Sequence, residues 1–493
     1  EDDKYVDATA KALEKVFEIS NSAFNKILKE KSDVRYYVMK DYKGLKKEKV
    51  KAFKALAKKD KNIKGVTFDE RYKRYYPYST VGSKVVGFCS TDNTGVWGIE
   101  SKYNSSLNGV SGRRYGYFNT DLDLVETVNE PTNGNNITST IDVNVQGILE
   151  RHMNTFQKNT GSKNMGCIIM NPQNGEIYAM SSYPEYNLNN PRDLSAFYSP
   201  EKIDKMSDKK KTENLNKIWR NYCISDAYEP GSTFKPMTVA ACLDEGVTTG
   251  SRAYHCDGYQ VINGVRIKCV AYSRGGHGTI NICQSLMESC NDVLMQLGAD
   301  LGKRKFLQYV NEFGFGKKTG IDLPGEATGG VFTNDTMHAV ELATSSFGQG
   351  QTVTMIQMAA AFSSVINGGN YYEPHVVKEV KSENGAVLES NDNALVRRVI
   401  TENTSKKLRK YLYKTVEEGT ALPAKVAGYQ IGGKTGTAEK HPTGRGNYLV
   451  SFIGFATKDN PEVMIYVTID EPHVADQAHS TYATQFSSEV LKE

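Results

Sequence analysis

Tyr228-Glu229-Pro230-Gly231-Ser232-Thr233-Phe234-Lys235-Pro236, running into the apolar segment 237–243, is the stretch on which the reading of this chain turns. Pro230 and Gly231 end whatever precedes them, and the pattern after Ser232 is helical. The serine therefore falls at a helix N-terminus, with Pro236 still in the first turns, where a missing backbone N–H costs little. Ser232 and Lys235 are three positions apart, so on a helix they share one face. A Ser hydroxyl is a weak nucleophile at neutral pH and needs a base. A Lys amine can serve once burial or a second cation lowers its pKa. Exposed N–H groups and the positive partial charge of a helix N-terminus favour the oxyanion of acyl transfer. Taken alone, Ser-x-x-Lys is better explained as a capped helix with a surface lysine.

Two further motifs, in order downstream, change that balance: Ser289-Cys290-Asn291 and Lys434-Thr435-Gly436-Thr437. Ser289 can pass a proton between Lys235 and a leaving amine, and Asn291 can hydrogen-bond a substrate amide. Lys434 supplies positive charge, while Thr435 and Thr437 supply hydroxyls, a combination suited to a substrate carboxylate. Gly436 allows a substrate strand close to the backbone. The three motifs together, on a helix, a helix end and a strand, point to nucleophilic acyl transfer through Ser232.

The rest of the chain is consistent with a large folded protein. At 493 residues it exceeds the size of one hydrophobic core, so two or more domains are expected. Hydrophobic residues make up 39% and charged residues 24%, the balance of an ordinary folded chain. The net charge is +4, from 61 Lys+Arg and 57 Asp+Glu dispersed along the sequence, so no nucleic-acid partner is indicated. No run of about 18 apolar residues marks a membrane span.

Apolar residues at helical spacing (Leu13, Val16, Phe17, Phe24, Ile27, Leu28) predict an amphipathic helix over 6–28 with a break near Asn21. Residues 34–128 read as an irregular α+β domain with β-like runs at 35–39 and 84–88. The Pro-, Gly- and Asn-rich stretch 129–136 reads as a linker, giving domains 1–133 and 134–493. Asp142 is placed to cap a helix through Val145, Ile148, Leu149 and Met153. Hairpins are expected at 166–180 and 448–469, and the charged stretch 201–216 reads as a solvated loop. Strand pairs from both ends of the second domain, with helices between, predict one antiparallel sheet covered by helices.

The chain resembles the class B penicillin-binding proteins, monofunctional transpeptidases that cross-link bacterial peptidoglycan. The motif trio is the signature of penicillin-binding proteins and serine β-lactamases. Further signposts of the class B group are Arg74-Tyr-Tyr-Pro-Tyr78, Val86-Gly-Phe88, Gly98-Ile-Glu100, Leu107-Asn-Gly109, Thr140-Ile-Asp142, Gly175-Glu-Ile177, Phe347-Gly-Gln-Gly350 and Glu418-Gly-Thr420. The resemblance implies a pedestal or dimerisation-type domain followed by a penicillin-binding/β-lactamase-like domain, an α+β fold. It implies a stem peptide ending in D-Ala-D-Ala as substrate, an acyl-enzyme on Ser232, and β-lactams as covalent inhibitors. It also implies an oxyanion hole from the N–H groups of Ser232 and Thr437, and no cofactor for acyl transfer. A membrane glycosyltransferase is the expected partner. Relatives begin with a membrane helix, so the expected location is the cell membrane with an extracytoplasmic catalytic domain, the anchor lying outside this chain. The same trio also serves D,D-carboxypeptidases, β-lactamases and non-catalytic β-lactam sensors or divisome scaffolds, which are the alternatives.

One cluster stands apart from these motifs. Cys256, Cys269, His277 and Cys290 offer a four-ligand set for a structural Zn²⁺, with His255, Asp257 or Cys283 as substitutes. A disulfide between Cys256 and Cys269, or simple packing of buried thiols, are the competing readings.

Overall fold

The computed structural model describes residues 3–34, 37–69, 73–118, 124–392 and 395–493. The chain forms two compact units, Glu1–Lys73 and Arg74–Glu493. In the first unit the expected break in the leading helix is real. Helices Asp3–Phe17 and Asn21–Glu30 are separated where Ser20 accepts a hydrogen bond from the Ala23 N–H and so caps the second helix. With Lys47–Lys59 they enclose a small core of Leu13, Phe17, Ile19, Phe24 and Phe53, in which Phe17, Phe53 and Phe68 meet ring to ring. Of the β-like run expected at 35–39, positions 35 and 36 lie outside the described residues and 37–39 form no strand.

In the second unit the run 84–88 is likewise not a strand. Gly82 and Gly87, both at positive φ, bracket the single helical turn Ser83–Val86. A hairpin, Arg113–Phe118 with Leu124–Asn129, and the short strand Asn136–Ser139 flank the Asn-rich stretch. Position 133/134 falls inside this unit, where Thr132 and Val110 exchange backbone hydrogen bonds. Asp142 caps helix Val143–Asn159, accepting from the N–H groups of Asn144 and Val145.

Both expected hairpins form and join one five-stranded antiparallel sheet. Its spatial order is Ile431–Glu439, Tyr448–Ala456, Val463–Pro472, Ser162–Met170, Ile177–Tyr183, so strands about 300 residues apart in sequence pair at its centre. This is the antiparallel sheet expected from strand pairs at both ends of the domain. One face of the sheet carries helices Val143–Asn159 and Thr481–Lys492 over a core that includes Leu149, Phe452, Ile465 and Phe486. The other face carries the largest core, built around Lys235–Asp244, Asn291–Leu301 and Met355–Ile366.

The stretch 201–216 is not a loop. It forms helices Pro200–Asp204 and Asp208–Trp219, the latter capped by Ser207 and burying Asn214, Leu215, Ile218 and Trp219. The charges lie on the outer face; the apolar anchors come mostly at the helix's end, where Trp219 packs on Phe88.

Candidate active site

Ser232 lies in a tight turn, Gly231–Phe234, that feeds directly into helix Lys235–Asp244, with Pro236 in its first turn. The turn is held from two sides. Thr233 Oγ1 donates to Pro230 O (2.7 Å), and the Gly231 N–H donates to Gly348 O (2.9 Å). A Cβ at Gly348 would sit 2.1 Å from Gly231 O, so only glycine permits this approach. The segment Phe347-Gly-Gln-Gly350, which the sequence marks only as a signpost, is the seat of this turn.

Lys235 is fully buried, and its amine donates to Ser289 O (2.6 Å), Ser289 Oγ (3.1 Å) and Asn291 Oδ1 (2.7 Å). Ser289 Oγ in turn donates to Ser232 Oγ (3.0 Å). The one-turn spacing of Ser232 and Lys235 suggests direct contact, but the hydrogen-bond path between them runs through Ser289. That residue holds φ 55, in the left-handed region that a non-glycine residue rarely occupies, a strain typical of functional positions. Burial pushes the Lys235 amine down to about 8, against the opposing pull of Cys290 and Cys269. Asn291 begins helix Asn291–Leu301, and its amide N also donates to Lys268 O (3.4 Å).

Lys434, Thr435, Gly436 and Thr437 lie on Ile431–Glu439, at the edge of the sheet. Among the described residues no strand pairs with its outer side. Lys434 is fully buried and donates to Thr435 O and Thr435 Oγ1 (3.2 Å each). Burial first, and the charge of Lys235 second, hold its pKa well below the usual lysine value. The Gly436 position is crowded from inside the protein, because a Cβ there would lie 2.3 Å from Ser451 Oγ and 3.0 Å from Thr233 Cγ2. The same closeness brings the turn at Gly231 beside Thr437, since a Cβ on Gly231 would be 3.3 Å from Thr437 O.

One residue of the site escaped the sequence reading. Thr420 Oγ1 lies 3.3 Å from Thr435 Oγ1, and its N–H donates to Met287 O (2.9 Å), two residues before Ser289. Thr420 thus ties the Lys-Thr-Gly strand to the Ser289 turn. The signal was present in Glu418-Gly-Thr420, without anything local to assign it a role.

The thiol cluster assembles directly behind Ser289 and Asn291. Cys256, Cys269, His277 and Cys290 bring their four donor atoms within 4.8 Å of one another. His277 Nδ1 is 3.4 Å from Cys256 Sγ and 3.7 Å from Cys269 Sγ, and the Sγ atoms of Cys269 and Cys290 are 3.7 Å apart. Cys256 and Cys269 are free thiols, as are the other six cysteines, which removes the cross-hairpin disulfide. The substitutes are not recruited: His255 is exposed and paired with Asp257 (3.0 Å), and Cys283 faces Met287 Sδ. The cluster is coupled to the motif, because the Asn291 N–H points at Cys269 Sγ (3.3 Å) and the Val293 N–H at Cys290 Sγ (3.4 Å).

Comparison with known proteins gives two family matches, the penicillin binding protein transpeptidase domain over residues 165–492 and the penicillin-binding protein dimerisation domain over residues 1–139. The chain is 36% identical over 496 residues to stage V sporulation protein D of Bacillus subtilis, covering 98% of this chain and 72% of that protein. It is 27% identical over 430 residues to the probable peptidoglycan D,D-transpeptidase PenA of Neisseria meningitidis, covering 85% of this chain and 67% of the relative. The crystal structure of penicillin binding protein 2X from Streptococcus thermophilus superposes with a TM-score of 0.82 at 25% identity, covering 100% of this chain and 73% of that one.

Proposed function

Because the chain belongs to the penicillin-binding protein transpeptidases, we propose that it cross-links peptidoglycan stem peptides ending in D-Ala-D-Ala through an acyl-enzyme on Ser232. The observation that carries this reading is the unbroken hydrogen-bond path from the buried Lys235 amine through Ser289 Oγ to Ser232 Oγ. Neutral Lys235 accepts a proton from Ser289 as Ser289 accepts one from Ser232, whose oxygen attacks the carbonyl carbon of the penultimate residue. The N–H groups of Ser232 and Thr437 face the resulting oxyanion. The C–N bond then breaks, the path returns its proton to the leaving D-Ala amine, and an ester remains on Ser232. An amine of a second stem attacks that ester, gives up its proton along the same path, and leaves a new peptide bond with Ser232 restored. Asn291 holds the substrate amide. Lys434 and Thr435, with Gly436 and Thr437 on the same edge strand, grip the terminal carboxylate. A β-lactam follows the first half of this sequence and stops at the ester.

Mass spectrometry after incubation with a labelled penicillin tests the assignment: the adduct maps to Ser232, and Ser232→Ala takes up no label. An adduct elsewhere overturns it. Turnover of a D-Ala-D-Ala thioester surrogate in the presence of a D-amino acid yields exchange product for a transpeptidase, hydrolysis alone for a carboxypeptidase, and a stalled adduct for a sensor.

The thiol cluster fits a structural Zn²⁺. With Zn–S near about 2.3 Å and Zn–N near about 2.0 Å, tetrahedral edges are about 3.8 Å between sulfurs and about 3.6 Å between sulfur and nitrogen. Three of the six separations, 3.7, 3.4 and 3.7 Å, lie close to these edges, and all four donor atoms fall within 4.8 Å. Cys256, Cys269, His277 and Cys290 would hold the ion, which supplies no step of acyl transfer and braces Ser289 and Asn291 from behind. Metal analysis of purified protein is expected to return one zinc per chain; a metal-free protein with full thiol titre refutes the site.

A functional division at 133/134, with a pedestal over 1–133 and the transpeptidase over 134–493, accords with the two family matches. Among the described residues no helix is long and apolar enough to cross a membrane. An extracytoplasmic position and a glycosyltransferase partner belong to the family reading. The likeness to a sporulation protein over almost the whole chain supports a role in sporulation.

A further inference from the structure

The Asn291 amide is set between two groups. Its Oδ1 accepts from the Lys235 amine (2.7 Å), and its Nδ2 reaches Lys268 O (3.4 Å), which leaves the second amide hydrogen for substrate. Lys268 ends a hairpin, Tyr259–Ile262 with Val265–Lys268, that pairs with no other strand among the described residues. Val261 and Val265 are exposed, and Ile262 and Ile267 are only partly buried against the core. A two-stranded ribbon of this size is marginal by itself. Other contacts must hold it where Lys268 O meets Asn291.

One end of the hairpin is held at Cys269, whose Sγ faces the Asn291 N–H (3.3 Å). The other end is held by Asp292. Its side chain is 0% exposed, yet among the described residues it has no lysine, arginine or histidine partner. It takes three N–H donors instead: Oδ2 accepts from the Asp257 backbone (3.1 Å), and Oδ1 from Gln260 Nε2 (2.5 Å) and Gln296 Nε2 (2.9 Å). Gln260 lies on the first strand of the hairpin, opposite Ile267, and Gln296 also donates to His255 O (2.7 Å) on strand Ala253–Cys256. A carboxylate suits this place because it only accepts and has two oxygens to share among the donors. An asparagine would turn its own N–H groups toward one of them. Asp292 stands in the first turn of helix Asn291–Leu301, where negative charge is favourable, and it directly follows Asn291. We propose that Asp292 is a positioning residue: by tying the hairpin to the helix that Asn291 begins, it sets the Asn291 amide for the substrate's amide without itself touching substrate.

This role rests on the proposed acyl transfer, and the experiment keeps the two apart. Acylation of Ser232 is timed with a penicillin that carries an acyl-amide side chain and with the penicillin nucleus that lacks it. The ratio of the two second-order rates reports the hold on the substrate amide. Asp292→Asn and Gln260→Met are each expected to lower that ratio about fivefold to tenfold, the scale of one mis-set hydrogen bond, with the bare nucleus acylated within about twofold of the wild-type rate. In an Asn291→Ala background, where no amide is left to set, neither substitution should lower the ratio further. The thiol titre should match the wild type in both variants; a fall in both assigns the loss to the cysteine cluster and overturns the proposal. Absence of penicillin labelling at Ser232 in the wild type would remove acyl transfer itself. Normal labelling with a ratio unmoved by both substitutions, or a ratio that falls just as far in the Asn291→Ala background, overturns the positioning role alone.

Discussion

Lys84 and Lys235 are both buried lysines with lowered pKa, yet their surroundings differ in the one respect that matters for chemistry. Lys84, 5% exposed, donates to the backbone carbonyls of Ile218 and Arg220 and lies near Glu185 and the Tyr186 ring. Burial takes its amine down to about 7, with Glu185 pulling the other way. Lys235 is displaced less, to about 8, but its partners include the Ser289 hydroxyl, which reaches Ser232. A perturbed pKa therefore does not identify a base; a proton path to a nucleophile does. Lys84 joins the turn Ser83–Val86 to the end of helix Asp208–Trp219, and that is a structural task.

The sharpest break of the comparison is a pair of substitutions. Lys235→Met is expected to slow penicillin acylation by at least about a thousandfold, the scale of a lost catalytic base with its positioning role. Lys84→Met should leave the acylation rate per folded molecule within about twofold. Stopped-flow acylation of both variants decides, and an equal loss in the two erases the distinction.

Stability should divide them the other way. Lys84→Met strands the buried Ile218 carbonyl and the partly buried Arg220 carbonyl, and removes the amine beside Glu185, whose carboxyl burial already raises to about 8. The expected cost is about 2–4 kcal/mol of unfolding free energy, read by denaturant titration. An unchanged midpoint would mean that the buried ammonium contributes nothing net.

The pH dependence sharpens the role of Lys235. The reactive form is the neutral amine, so acylation should climb about tenfold per pH unit below its pKa and level off above about 8. The rate thus falls on acidification from pH 8 to 6, and Lys84→Met should leave the curve in place. A profile flat over that range, or one that moves with Lys84, contradicts the assignment.

The smallest effect is expected at Thr420. Thr420→Val removes its hydroxyl from Thr435 while keeping its shape, and should raise KM for carboxylate-bearing donors about threefold to tenfold, with Thr420→Ser restoring it. A change in kcat alone would place Thr420 elsewhere in the cycle.

What local chemistry specifies was legible without the fold. Asp142 as a cap, Ser20 at the break between the first two helices, the turn before Lys235 and both hairpins depend on residues a few positions apart. The four members of the thiol cluster could be named because their side-chain chemistry is unusual. Residues 84–88 and 201–216 were misread for the opposite reason. Their identities permit more than one local structure, and the choice fell to glycine-bracketed packing at Ser83–Val86 and to the anchoring of Leu215, Ile218 and Trp219. In the site itself, the sequence alone named the candidate groups: a hydroxyl at 232, amines at 235 and 434, a hydroxyl at 289, an amide at 291. Only the tertiary structure decided that Ser289 stands between Lys235 and Ser232, that Thr420 joins Thr435, and that Asp292 meets Gln260. Hydrogen-bond order and burial depend on distances of a few tenths of an ångström between elements far apart in the chain, and no spacing within a motif encodes those distances.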